Sequence, residues 1–264
     1  MHILKIIHGY PPTYNAGSEV YSQSICNELS KFHKVSVFTR EENPYAPCFS
    51  IRKKSINPNL TLYIINNPQG KDGYQHNEID EKLNVLLHEL TPDIAHIGHL
   101  NHLSTGLVTI LNHYKIPIIY TLHDFWLMCP RGQFLTRTIG KKDGAFQLCN
   151  QQNDKKCVLD CYKMYFSGIK ENEANDVEQW ESWVHSRMEE IKRIVSKINL
   201  FIAPSKYLKD RFEEDFHISR DKIIYLDYGF PTEYLVPTEK IKKDEPYTFG
   251  YIGTHIPAKG VNLL

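Results

Sequence analysis

Short runs of β-branched and aliphatic residues, each ending in polar or flexible residues and separated by helix-patterned stretches, constrain this chain more than any other feature. HILKII (2–7), KVSVFT (34–39), LTLYII (60–65), DIAHI (93–97), PIIYTL (117–122), NLFIA (199–203) and KIIYL (222–226) read as strands. Between the first two, SEVYSQSICNELSK puts Val20, Ser24, Ile25 and Leu29 on one helical face, with Gly17-Ser18 ahead as a start signal. NEIDEKLNVLLHEL and the segment after Ser104 read as further helices. This alternation predicts an α/β fold: a Rossmann-like, doubly wound, mostly parallel sheet with helices on both faces.

One insertion, residues 124–172, interrupts the alternation; it lacks convincing periodicity and is too long for an ordinary connection. Beyond it, Val177, Trp180, Val184, Met188, Ile191, Ile194 and Ile198 recur at threes and fours, predicting a helix from about Glu173 that spans on the order of 40 Å. The plain reading is a core-packed helix with a charged outer face; the alternative is a platform for an acceptor or a membrane surface. TEKIKKDEP (238–246) reads as a charged linker. Residues 1–237 are then a first domain, and YTFGYIGTHIPAKGVNLL (247–264) is the truncated start of a second.

Composition narrows the function. Lys+Arg and Asp+Glu are both 31, so no global field favours nucleic acid or an anionic membrane. The apolar start after Met1 is too short for a signal-peptide core, and no run approaches the roughly 20 apolar residues of a membrane span. A cytoplasmic protein is the expectation, and its six cysteines are expected to be mostly reduced. Four of them, Cys129, Cys149, Cys157 and Cys161, fall in the insertion. Four thiolates can close a tetrahedral zinc site that orders a loop with little apolar content; free thiols and disulfides are the alternatives.

In a doubly wound sheet, ligands bind beyond the carboxyl ends of the strands. Following the strand runs come His8-Gly9-Tyr10, then Gly98-His99-Leu100-Asn101-His102, His123-Asp124, Pro204-Ser205-Lys206 and Asp227-Tyr228-Gly229-Phe230. One edge of the sheet should therefore be a polar crevice. Each histidine alone reads more readily as a satisfied structural donor, and Gly17-Ser18 can be a plain helix cap. A glycine at a helix N-terminus also lets a diphosphate approach bare N–H groups. Neither G-x-G-x-x-G nor a P-loop follows the first strand, which argues against dinucleotide oxidoreduction and ATP hydrolysis.

Six segments in order carry a family likeness: HGYPPTYNAGSEVYSQSICNELSKFHKVSVFT, DIAHIGHLNHLSTG, IPIIYTLHDFW, LFIAPSKYLKDRF, IIYLDYGFP and YTFGYIGTHIPAKGVNLL. Together they resemble the family-4, retaining glycosyltransferases of the GT-B fold. The resemblance implies transfer of a sugar from a nucleotide-sugar donor to a glycan or lipid-linked acceptor. It implies that the first domain holds the acceptor, that the second binds the donor, and that the transfer step needs no metal. By position, His123 would orient the donor sugar, and Asp124 would contact acceptor hydroxyls or brace its loop. Gly17 and Ser18 would face the donor diphosphate, Ser205 would line the same crevice, and Lys259 would neutralise the leaving group. His8, Tyr10 and His99 would face the acceptor. Peripheral membrane association would fit a lipid-linked acceptor. Two departures stand out: Thr254-His255 occupies a position where the family commonly has an arginine, and the family's paired glutamates would lie beyond residue 264. The fragment is expected to be inactive alone. A nucleotide-sugar epimerase and a non-catalytic carbohydrate-binding domain are the competing readings.

Overall fold

The computed structural model describes residues 1–67, 74–137, 146–162, 174–230, 232–233, 235–236, 249–255 and 259–261. Its main sheet is built from β1 (His2–Ile6), β2 (Lys34–Glu41), β3 (Ile51–Asn57), β4 (Leu60–Asn66), β5 (Ile94–Ile97), β6 (Ile118–Thr121), β9 (Leu200–Ala203) and β10 (Ile223–Tyr225). A separate two-stranded hairpin joins β7 (Leu135–Arg137) to β8 (Phe146–Leu148). The helices are α1 (Gly17–Leu29), α2 (Asn77–Leu90), α3 (Gly106–His113), α4 (Ala174–Val195) and α5 (Lys206–Glu214).

The eight strands lie in the order β10-β9-β6-β5-β1-β2-β4-β3. Every pairing is parallel except that of β3 with β4. The chain winds outward from β1 to β4, returns to β5, and winds outward again the other way. The order therefore reverses between β1 and β5, where a doubly wound sheet opens a crevice at its carboxyl edge. The seven strands expected from the sequence are all present. The eighth, β3, is antiparallel, and its centre presents Arg52, Lys53 and Lys54 to solvent. Charges of this kind keep an open sheet edge from pairing with another chain.

The two faces are covered unequally. On one, α2, α3, α4 and α5 bury Leu83, Leu87, Leu107, Leu111, Ile191, Ile194 and Phe212 against Leu4, Ile6, Ile97, Tyr120 and Phe201. Burial of each such side chain contributes about 1.5–3 kcal/mol. Gly106 allows α3 to start close against α2, because a Cβ there would fall 1.9 Å from the Asp80 carboxylate. On the other face α1 sits over Ile7, Val35, Val37, Leu60, Leu62 and Ile64. Beyond its reach Ile94, Ile119, Leu200 and Ile202 are only half-buried.

Two expectations change and one holds. The inward side of α1 is Glu19, Ser22 and Cys26, while Val20 is exposed. The reason lies in what α1 covers: beneath it are His8 and the fully buried Lys5, which take polar and small neighbours. The insertion is also more regular than its sequence suggests, holding the β7–β8 hairpin, a turn at Asp154–Lys156 and a π-helical turn at Cys157–Tyr162. The long helix is core-packed, with Val184, Met188, Ile191 and Ile194 buried, and Ile198 just past its end. No described helix is long and apolar enough to cross a membrane.

The expected linker, 238–246, lies outside the described residues. Within 247–264 the described residues 249–255 and 259–261 hold no strand, and Phe249 and Ile252 are exposed. A single strand without a neighbour leaves its backbone N–H and C=O groups to water, so apolar pattern alone does not set it.

Candidate functional site

The crevice at the reversal of strand order is a cavity of about 600 Å³, the size of a small-ligand site. Its walls come from the ends of β1, β5, β6 and β10 and the first turns of α1, among them His8, Gly17, Ser18, His99, His123, Asp124 and Tyr228. A second cavity of about 510 Å³ lies alongside and includes Ser205, Tyr207 and Lys259. His123, Asp124, Gly132 and Tyr228 line both. They form the partition between two compartments.

The histidines are held in a chain of contacts. His8 and His99 meet edge to face, with ring centroids 4.5 Å apart. Nε2 of His8 lies 3.1 Å from Glu19, whose other oxygen accepts the Ser18 hydroxyl at 2.8 Å. Nδ1 of His99 accepts the Asn101 N–H at 3.0 Å, so its Nε2 carries the proton and donates to Asp124 at 3.3–3.4 Å. Asp124 also accepts the Trp126 N–H at 2.8 Å. Nδ1 of His123 lies 2.7 Å from the Tyr228 hydroxyl, and the two rings stack at 5.6 Å. Tyr21 closes the group, 4.6 Å from Tyr228 and 5.5 Å from His123, centroid to centroid.

These surroundings fix the charge states. Burial pushes His123 down to about 3, helped by the Lys5 ammonium and His99. Burial likewise lowers His8 and His96. Burial opposes ionisation of Glu19, but hydrogen bonds from His8 and Ser18 outweigh it and bring the carboxyl down to about 2. Asp124 follows the same balance, with burial overcome by His99 and the Trp126 N–H, so its carboxyl lies below the usual range. At neutral pH Glu19 and Asp124 are therefore carboxylates, and His8 and His123 neutral imidazoles. Nδ1 of His123 shares one hydrogen bond with the Tyr228 hydroxyl, and Nε2 is buried with no protein partner among the described residues.

Several expected residues take other places. Tyr10 is 5 % exposed and packs with Cys26 and Val37 beneath α1, away from the cleft. Its loop turns back, with the Tyr14 N–H donating to the Tyr10 carbonyl, and this points the ring inward. His99 lines the first cavity as expected, although it is largely buried and bonded to Asp124. Ser205 caps α5, accepting the Leu208 N–H at 3.1 Å, and lines only the second cavity. His8, Gly17, Ser18, His123 and Asp124 all face the first cavity, and Lys259 faces the second. α1 begins without a side-chain cap at Ala16, so its first N–H groups are available at the cavity wall.

Sequence reasoning missed Glu19, Tyr21 and Arg187. Glu19 and Tyr21 flank Val20, which lies on the helix face first taken as buried. Arg187 is 1 % exposed on α4; it donates to the Trp126 carbonyl at 2.6 Å and stacks on the indole at 4.6 Å. It braces the loop between Asp124 and Cys129.

The cysteines form a second cluster. Cys129, Cys149, Cys157 and Cys161 line one cavity of about 10 Å³ behind the cleft wall, and all are free thiols. Burial pushes Cys157 up to about 12 and also raises Cys129. Among the described residues, no three His, Cys, Asp or Glu side chains stand as placed in a metal-ligating group.

Comparison with known proteins identifies a relationship. The family model described as Glycosyltransferase Family 4 matches residues 15–234. Similar solved structures include a sucrose-phosphate synthase from Thermosynechococcus elongatus, with 10% identity over 87% of this chain and 90% of that one, at a TM-score of 0.46. Anabaena HepE in complex with UDP has 12% identity over 87% of this chain and 44% of its own, at 0.44. The UDP-GlcNAc 2-epimerase from Neisseria meningitidis bound to UDP-GlcNAc has 12% identity over 85% and 45%, at 0.41. This chain thus spans less than half the length of the latter two. No curated protein matches in sequence.

Proposed function

Since this chain belongs to Glycosyltransferase Family 4, we propose that it carries the acceptor side of a transfer of sugar from a nucleotide-sugar donor to a glycan or lipid-linked acceptor, with retained configuration. The observation that carries this reading is the partition: His123 and Asp124 line two adjoining cavities at once. A transfer between two substrates needs its polar groups where the two meet.

Each residue has a role its surroundings support. Neutral His123 forms part of the wall where the two cavities meet, with the Tyr228 hydroxyl at its Nδ1 holding the ring in place against a bound sugar. Ionised Asp124, braced by His99 and the Trp126 N–H, accepts from an acceptor hydroxyl. The uncapped start of α1 at Gly17 and Ser18 presents N–H groups to an anionic diphosphate. Lys259, in the second cavity, supplies a positive charge to the departing nucleoside diphosphate. Binding of phosphate by preorganised donors lowers the barrier chiefly by stabilising the charge that develops on the leaving group.

Labelled nucleotide sugars offered with glycan and lipid-linked acceptors to the complete gene product test the proposal. Label in the acceptor is the expected result. Conversion of the donor to a stereoisomer without acceptor would instead indicate an epimerase. Glycan binding with every donor left intact would indicate a binding module.

A further inference from the structure

We propose that Cys129, Cys149, Cys157 and Cys161 form a structural zinc site that fixes the wall of the cleft. The four thiols come from three separate parts of the insertion: the turn after β6, the residue following β8, and the π-helical turn Cys157–Tyr162. They meet around a cavity of about 10 Å³. That volume admits one water-sized body, an ion and not a substrate.

The surroundings of the sulfurs suit an anionic site. The Cys129–Gly132 turn is closed by a hydrogen bond from Gly132 N–H to the Cys129 carbonyl at 2.8 Å. Gly132 holds φ +76° there, a conformation that side chains disfavour. The Lys156 ammonium lies 3.2 Å from the Cys149 sulfur. An apolar thiol pocket has no need of this cation.

Four sulfurs without oxygen or nitrogen donors select zinc among common divalent ions. Each thiol gives its proton to solvent on ligation, so one Zn²⁺ displaces four protons and leaves a site of net charge −2. Lys156 offsets part of that charge. The sulfurs are not arrayed as a ligand set as placed, among the described residues. A cysteine sulfur swings about one side-chain torsion, and all four line the same small cavity.

The site has a consequence for the cleft. Arg131 lines both the thiol pocket and the 600 Å³ cavity, and Gly132, which lines the latter, accepts the Phe125 N–H at 3.0 Å. Ordering the turn at Cys129 therefore orders the partition beside Asp124.

Elemental analysis of the chain, purified without a histidine tag or added metal, should find close to one zinc per chain. Cys157→Ser with Cys161→Ser should retain less than a tenth of it, while Cys26→Ser with Cys48→Ser retains all. Should the first variant fail to fold, release of zinc from the unaltered chain on titration with a mercurial thiol reagent gives the same answer. Cobalt in place of zinc should show the intense visible bands of a tetrahedral thiolate site. Metal-free protein with four reactive thiols, two disulfides, or iron with acid-labile sulfide would each overturn the proposal.

Discussion

The cleft and the thiol pocket share the segment from Asp124 to Cys129, yet they are assembled in opposite ways. The cleft is a product of the sheet: β1, β5 and β6 run parallel, so His8, His99 and His123 arrive at one edge without any contact of their own demanding it. The thiol pocket belongs to an insertion with three-residue strands, whose first part is tied into the main core by Trp126, Leu127, Met128 and Phe134. Its later part has only Cys157 and Val158 packed on Val184 and Met188 of α4, and there a ligated metal would help hold the backbone. A fold can position chemistry, or chemistry can position a fold, and this chain does both within one loop.

Arg187→Ala should break both regions together, since Arg187 braces the Trp126 carbonyl that lies between them. The loss of a buried hydrogen bond and of packing should cost about 4 kcal/mol, read from denaturant midpoints. An unchanged midpoint would show the two regions to be independent.

Acid should separate them. His123 has a folded value of about 3 against 6.5 ordinarily, so below pH 6.5 the unfolded chain takes up a proton that the native chain refuses. Stability is therefore complete above pH 6.5 and falls as pH drops toward 3, by about 3 kcal/mol at pH 4 from this residue alone. His8 and His96 act in the same direction. Urea midpoints at pH 7 and pH 4 check this, and His123→Asn should remove much of the difference.

Glu19→Gln should disturb the cleft alone. It removes the carboxylate that His8 and Ser18 bind, at a cost of about 2 kcal/mol, and the thiols should react as before. Altered thiol reactivity in that variant would mean the two clusters are coupled through the sheet.

Most of the fold was legible in the sequence for a physical reason. Short runs of aliphatic and β-branched residues favour strands whether one face or both are covered, and all seven such runs became strands. β3 was not legible because it is an edge: Arg52, Lys53 and Lys54 serve solubility and hide its pairing. Strand ends located His8, His123 and Asp124, since the carboxyl edge of a parallel sheet is fixed by topology. Tyr10 was misplaced because residue types do not say which way a loop turns. Glu19 and Arg187 stayed hidden because buried polar residues on a helix obey no hydrophobic period; their partners, His8 and the Trp126 carbonyl, are far away in sequence.

The central claim is that His123 works where two substrate compartments meet. Sugar transfer by the complete gene product, with and without His123→Ala, tests it most directly. The account predicts a fall in turnover of at least tenfold, about 1.4 kcal/mol of barrier or more, with the thermal midpoint at neutral pH little changed. Transfer at the unaltered rate would contradict it.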